Sequence, residues 1–144
     1  MKLPSLAAAV VVTLALAVGG CATGPKQPEP AANKLVMQVS DAEPAKWNLA
    51  LNNAKNVQAD LGASKVEIEI VAYGPGIGML KAESVVGNRV REAVASGVKV
   101  VACENTMTNQ KLTKNDMLPG IGYAPSGVVE LMQRQQQGYA YVRP

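Results

Sequence analysis

Residues Val98–Thr106 read V-K-V-V-A-C-E-N-T. Four β-favouring, mostly apolar residues run into Cys103, and the polar triplet Glu104-Asn105-Thr106 follows. A short apolar run bounded by polar residues is the pattern of a strand buried on both faces. Asn and Thr at its end suit the first turn of a helix. A strand covered on both faces that runs straight into a helix belongs to a sheet with helices packed on each side. The segment therefore places the Cys103 thiol at the carboxyl edge of a strand, beside a helix N-terminus. In open α/β sheets, ligands and chemistry gather at that edge.

The flanking segments continue the alternation. Leu35–Val39 has strand composition, and Ser40, Asp41 and Pro44 mark a helix start. Trp47, Ala50, Leu51, Ala54, Val57 and Leu61 recur at three- and four-residue steps, the buried stripe of an amphipathic helix, with Gly62 as its cap. In Lys65–Tyr73, Val66, Ile68 and Ile70 alternate with Glu67 and Glu69. That period of two predicts a strand with one wet face, placed toward a sheet edge, its glutamates in solvent. Ser84 opens a second helix with Val86, Val90, Ala93 and Val94 inward, and Gly97 ends it. Thr106–Leu112 reads as a short helix, Thr113–Asp116 as a capped turn and Ile121–Tyr123 as a short strand. Pro125-Ser126 opens a last helix with Val128, Leu131, Met132 and Gln135 on one stripe, and Tyr139–Val142 forms a final strand. This order predicts a three-layer α/β/α fold with a mainly parallel sheet of about five strands.

The first 33 residues of the chain have a different character. Met1-Lys2 is a short positive start, and Leu6–Val18 is an apolar run of 13 residues. That run is shorter than the roughly 20 residues of an ordinary membrane span. Val18-Gly19-Gly20-Cys21 resembles the bacterial lipobox, which implies cleavage before Cys21 and lipid on that residue. Residues 1–20 are accordingly predicted to be a lipoprotein signal peptide. Residues 21–33 form the lipidated cysteine and a proline-rich tether, and residues 34–144 a single α/β domain. The expected location is the bacterial cell envelope, anchored to the membrane and facing the periplasm.

Composition narrows the chemistry. The chain has no histidine and two cysteines, Cys21 and Cys103. Ser-His-Asp and Cys-His catalysis are excluded. With Cys21 acylated, Cys103 is a lone thiol, so neither an intramolecular disulfide nor a zinc site is expected, and no cofactor motif is present. Copper(I) held by Cys103 with Met79, Met107 or Met117 has suitable soft ligands, but methionines at such spacings are usually packing. With Lys2 removed, 13 basic residues face 11 acidic ones, with no dense basic run, so nucleic-acid binding is not expected.

A parallel sheet should bring three segments to the carboxyl edge: the G-P-G-I-G loop with Gly74, Gly76 and Gly78, then Cys103 with Glu104 and Asn105, then the turn with Gly120 and Gly122. A helix N-terminus favours the Cys103 thiolate, and the neighbouring Glu104 opposes it. From spacing alone two readings stay open: a nucleophile or sulfur carrier, or a small buried hydrophobe in a non-catalytic binding or oligomeric module.

Four stretches, V-A-Y-G-P-G-I-G-M-L, G-V-K-V-V-A-C-E-N-T-M, M-L-P-G-I-G-Y-A-P-S-G-V-V-E-L-M and Q-Q-G-Y-A-Y-V, resemble the DsrE/DsrF-like family of sulfur-relay proteins. The resemblance runs from about Leu35 to the C-terminus. It implies a compact α/β/α fold, assembly into homo-oligomers, and a strand-end cysteine that carries a persulfide between partner proteins. Cys103 matches that position. After the cysteine, E-N-T-M-T-N-Q-K stands where relay members have small residues and a basic-glycine pair.

Overall fold

The computed structural model describes residues 33–144. The signal segment, Cys21 and nearly all of the tether lie outside the described residues. Five strands alternate with helices: β1 (Asn33–Val39), α1 (Pro44–Leu61), β2 (Val66–Ala72), α2 (Gly87–Ala95), β3 (Lys99–Cys103), α3 (Glu104–Asn109), β4 (Gly122–Ala124), α4 (Gly127–Gln136) and β5 (Ala140–Val142). The sheet order is β4-β3-β2-β1-β5, and every pairing is parallel. All the strands therefore end at one edge of the sheet.

One face of the sheet carries the main core. Met37, Ile68, Ile70, Val100 and Ala102 project from the strands onto Trp47, Leu51 and Ala54 of α1 and Val90 of α2. Full burial of each large aliphatic side chain contributes about 2 kcal/mol. The helix stripe predicted for α1 is buried from Trp47 to Ala54, while Leu61 is exposed. Trp47 is fixed by its indole N–H, which donates to the Asp41 carbonyl at 2.7 Å. Met79, Met107 and Met117 belong to this core.

The second face is thinner. Among the described residues α4 covers it, through an apolar cluster of Val36, Val71, Leu131 and Tyr139. Two sequence expectations are corrected here. First, β2 is the central strand, and Glu69 is 0% exposed. The alternation of Glu67 and Glu69 with aliphatics records a second covered face. Arg134 of α4 places its guanidinium Nε 2.9 Å from Glu69 Oε2, and Lys99 of β3 pairs with Glu67. Second, α4 buries Gly127 and Leu131, whereas Val128 and Met132 face outward. Its inward face is partly ionic, with Glu130 and Arg134 beside Leu131, so an apolar stripe does not identify it.

Candidate functional site at the end of strand β3

Alternation along β3 turns Val100 and Ala102 into the main core and turns Val101 and Cys103 toward the α4 face. Cys103 is the last residue of β3 and the N-cap of α3, with extended backbone angles. It pairs with Ala124 on β4. The chain turns at Pro125-Ser126 and starts α4 at Gly127, directly above the sulfur. The Gly127 N–H donates to Cys103 Sγ at 3.2 Å. A side chain at 127 would bring its Cβ to 3.0 Å from Cβ of Tyr73, so glycine lets α4 begin this close to the sheet.

The thiol is 5% exposed. Burial pushes its pKa up. The Thr106 hydroxyl and the main-chain N–H groups of Gly127, Thr106 and Asn105 more than offset this, and the net position is below the ordinary thiol value. These donors come from the first turns of α3 and α4. First-turn N–H groups have no partner within their own helix, so the Gly127 N–H is available to a thiolate, whereas that of Asn105 is shared with the Pro125 carbonyl.

The Thr106 hydroxyl also accepts the N–H of Gly74 at 2.9 Å. Thr106 thus ties the loop after β2 to the first turn of α3, beside Cys103. Gly74 has φ +53°, which aims its N–H at Thr106 and leaves open space where a Cβ would be. The other two loop glycines serve packing. A Cβ on Gly76 would lie 2.2 Å from the Val39 carbonyl oxygen, and one on Gly78 would meet the Trp47 ring at 3.1 Å.

The remaining predicted residues separate into two groups. Asn105 is at the site through its backbone, and its N–H donates to the Pro125 carbonyl at 3.1 Å. The Glu104 carboxylate turns toward Lys114, 3.9 Å away. Gly120 and Gly122 lie elsewhere. Gly120 precedes β4 and Gly122 is its first residue, so both sit toward the amino-terminal end of the sheet, on a depression of about 330 Å³ with Lys99, Val101 and Arg134. The turn that does reach Cys103 is the one after β4, Pro125–Gly127. Sequence reasoning missed Thr106 and Gly127 as site residues. The available signal was the second strand-to-helix junction, A-P-S-G, in a parallel sheet where successive junctions share an edge.

No group of three or more His, Cys, Asp and Glu side chains capable of holding a metal occurs among the described residues. The three methionines considered for copper pack on the α1–α2 face, while Cys103 points to the α4 face. No helix among the described residues is long and apolar enough to cross a membrane.

An all-parallel α/β domain with a hydrogen-bonded thiol at the carboxyl end of an inner strand is the class that this geometry defines. The model of the DsrE/DsrF-like family matches residues 33–144, and the chain belongs to that family. Among solved structures it is similar to MTH1491 from Methanobacterium thermoautotrophicum, a protein of unknown function. The identity is 33% and the TM-score 0.75, over 78% of this chain and 99% of that one. The fold is also shared with BT1422 from Bacteroides thetaiotaomicron, likewise of unknown function. There the identity is 19% and the TM-score 0.63, over 78% of this chain and 95% of that one. None of the curated proteins matches.

Proposed function

We propose that this domain carries sulfane sulfur on Cys103. The observation that carries the reading is the set of donors converging on Sγ, above all the Gly127 N–H at 3.2 Å and the Thr106 hydroxyl. They favour the thiolate, which is the attacking form. The Cys103 thiolate attacks the outer sulfur of a donor persulfide, R–S–SH. The Cys103–sulfur bond forms, the donor sulfur–sulfur bond breaks, and the donor leaves as its thiolate, R–S⁻. Delivery to an acceptor thiolate repeats the exchange with Cys103 as leaving group. Sulfur changes carrier and no external oxidant is needed. The partners are a persulfide-bearing donor protein and a thiol acceptor.

The lipobox-like Val18–Cys21 segment supports attachment of the mature protein to the bacterial envelope through lipid on Cys21, with the domain facing the periplasm. The exposed apolar side chains Val128, Val129 and Met132 on α4 support assembly with further copies of the chain.

The test is intact-mass analysis of the mature protein after incubation with a persulfide donor. Wild type gains one sulfur atom, and Cys103→Ser and Cys103→Ala gain none. Cys21→Ser remains an unlipidated precursor, and its recovery as a processed, membrane-bound protein overturns the anchoring. The 5% exposure of Cys103 favours a second reading, a binding or oligomeric module in which the cysteine is structural. A native thiol that neither alkylates nor loads sulfur decides for that reading.

A further inference from the structure

The Glu69–Arg134 pair has no part in the chemistry just described, yet it is buried where few charges are. Glu69 is 0% exposed, and both of its carboxylate oxygens and Arg134 Nε lack a well-directed hydrogen bond. Arg134 reaches Glu69 Oε2 at 2.9 Å and, through a second nitrogen, Glu130 Oε1 at 2.9 Å. A close but imperfectly aligned buried ion pair is a poor source of net stability, because its desolvation cost is large. Fixing register is the best-attested use of such pairs.

The layout indicates what register is at stake. Helix α4 holds Gly127 at its first turn and Arg134 seven residues on, about 10 Å along its axis. Between them only Leu131 is buried. Contact through one aliphatic side chain is non-directional and leaves the helix free to slide or rotate on the sheet. The Gly127 N–H meets Cys103 Sγ at one end of the helix, and Arg134 meets Glu69 near the other. Both acceptors belong to neighbouring strands of one sheet, β3 and β2.

We propose that Glu69 is a positioning residue for Cys103: by tethering Arg134 it sets α4 along the sheet so that the Gly127 N–H stays on the sulfur. The inference rests on the reading of Cys103 as a reactive thiolate. Charged and titratable groups face Glu69 from every element around it. Arg134 and Glu130 come from α4, Lys99 from the register-paired position of β3, and Glu67 from its own strand. On the β1–β5 side, Lys34 and Arg134 flank the Tyr139 ring. Burial, the main cause, and the adjoining Glu130 push the Glu69 carboxyl up to about 7, so the tether weakens as it protonates below that pH.

The experiment is the pH profile of iodoacetamide alkylation of Cys103 in the full chain, with near-ultraviolet circular dichroism to establish folding. Wild type, Glu69→Gln, Arg134→Lys and the same-strand control Glu67→Gln are compared. Glu69→Gln is expected to move the thiol profile to higher pH and to slow alkylation near neutrality about ten-fold, the effect of one hydrogen bond to a charged group. Arg134→Lys, which keeps the charge but not the reach, is expected to shift it the same way. Glu67→Gln should leave the profile in place. The sign is diagnostic, because removing a carboxylate acts through space to favour a thiolate and speeds the reaction. Faster or unchanged alkylation in folded Glu69→Gln overturns the positioning role while leaving the thiolate reading intact. If Glu69→Gln does not fold, a wild-type profile in Arg134→Lys overturns it. A wild-type thiol inert at every pH overturns both.

Discussion

The main-chain N–H of Gly127 lies 3.2 Å from Sγ of Cys103, and these two residues belong to different strand-to-helix junctions. One junction supplies the sulfur and the next supplies a donor to its charged form. The all-parallel sheet makes this possible, because it returns every junction to the same edge.

Thr106 tests the hydrogen bonding around the thiol. Thr106→Val keeps the shape and removes the hydroxyl that accepts from Gly74 and lowers the Cys103 pKa. The Gly74 N–H loses its partner, and the variant should be destabilised by about 1–2 kcal/mol. Its thiol should titrate at higher pH than wild type, read as slower alkylation at neutral pH. An unchanged alkylation profile would show that the hydroxyl does not act on the sulfur.

Cys103 itself separates the two functional readings by stability. Cys103→Ala removes one small buried group and is expected to cost about 1 kcal/mol, measured by urea denaturation, while abolishing sulfur loading. A cost of several kcal/mol would mark the residue as a packing element.

Two glycines of one loop should respond very differently to alanine. At Gly76 a Cβ collides with the Val39 carbonyl and the Ser40 backbone, which cannot yield. Gly76→Ala should cost about 3 kcal/mol or more and leave little folded protein. At Gly74 the space is open and only the positive φ is unfavourable, so Gly74→Ala should cost about 1 kcal/mol. Thermal midpoints of the two variants check the contrast.

Stability should fall with rising pH through the range set by Glu69. The folded protein keeps a proton on this carboxyl up to about pH 7, because burial penalises its charge. The unfolded chain releases it near pH 4.3, the value of about 4.3 for a free glutamate. Between these values the folded state binds more protons. Its contribution is therefore full below the unfolded value and is lost, by up to about 4 kcal/mol, as pH rises through 7. Glu67 and Asp116 are held below the usual carboxylate range by Lys99 and by Thr113 respectively, so they act in the opposite sense at lower pH. Urea midpoints at about pH 5 and about pH 7.5 should differ in wild type and converge in Glu69→Gln. A slope that persists in that variant would assign the titration to another group.

Much of this architecture was legible in residue order. The stripe Trp47–Ala54, the apolar run Val98–Cys103 and the punctuating Gly62 and Gly97 specify strand, helix and turn through local periodicity and backbone preference. The alternation of such segments was enough to imply a parallel α/β sheet, and with it a cysteine at a strand end. What the tertiary structure decided is which polar residues are covered and which junctions meet. Glu69 has the spacing of a solvated residue, but Arg134, 65 positions later, folds over it. Gly120 and Gly122 have the composition of a ligand loop, but they enter a strand where Gly127 leaves one. Local sequence encodes the polarity and period of a segment. The partner that neutralises a charge, or donates to a sulfur, comes from a distant segment and is selected only when the sheet order brings the two together.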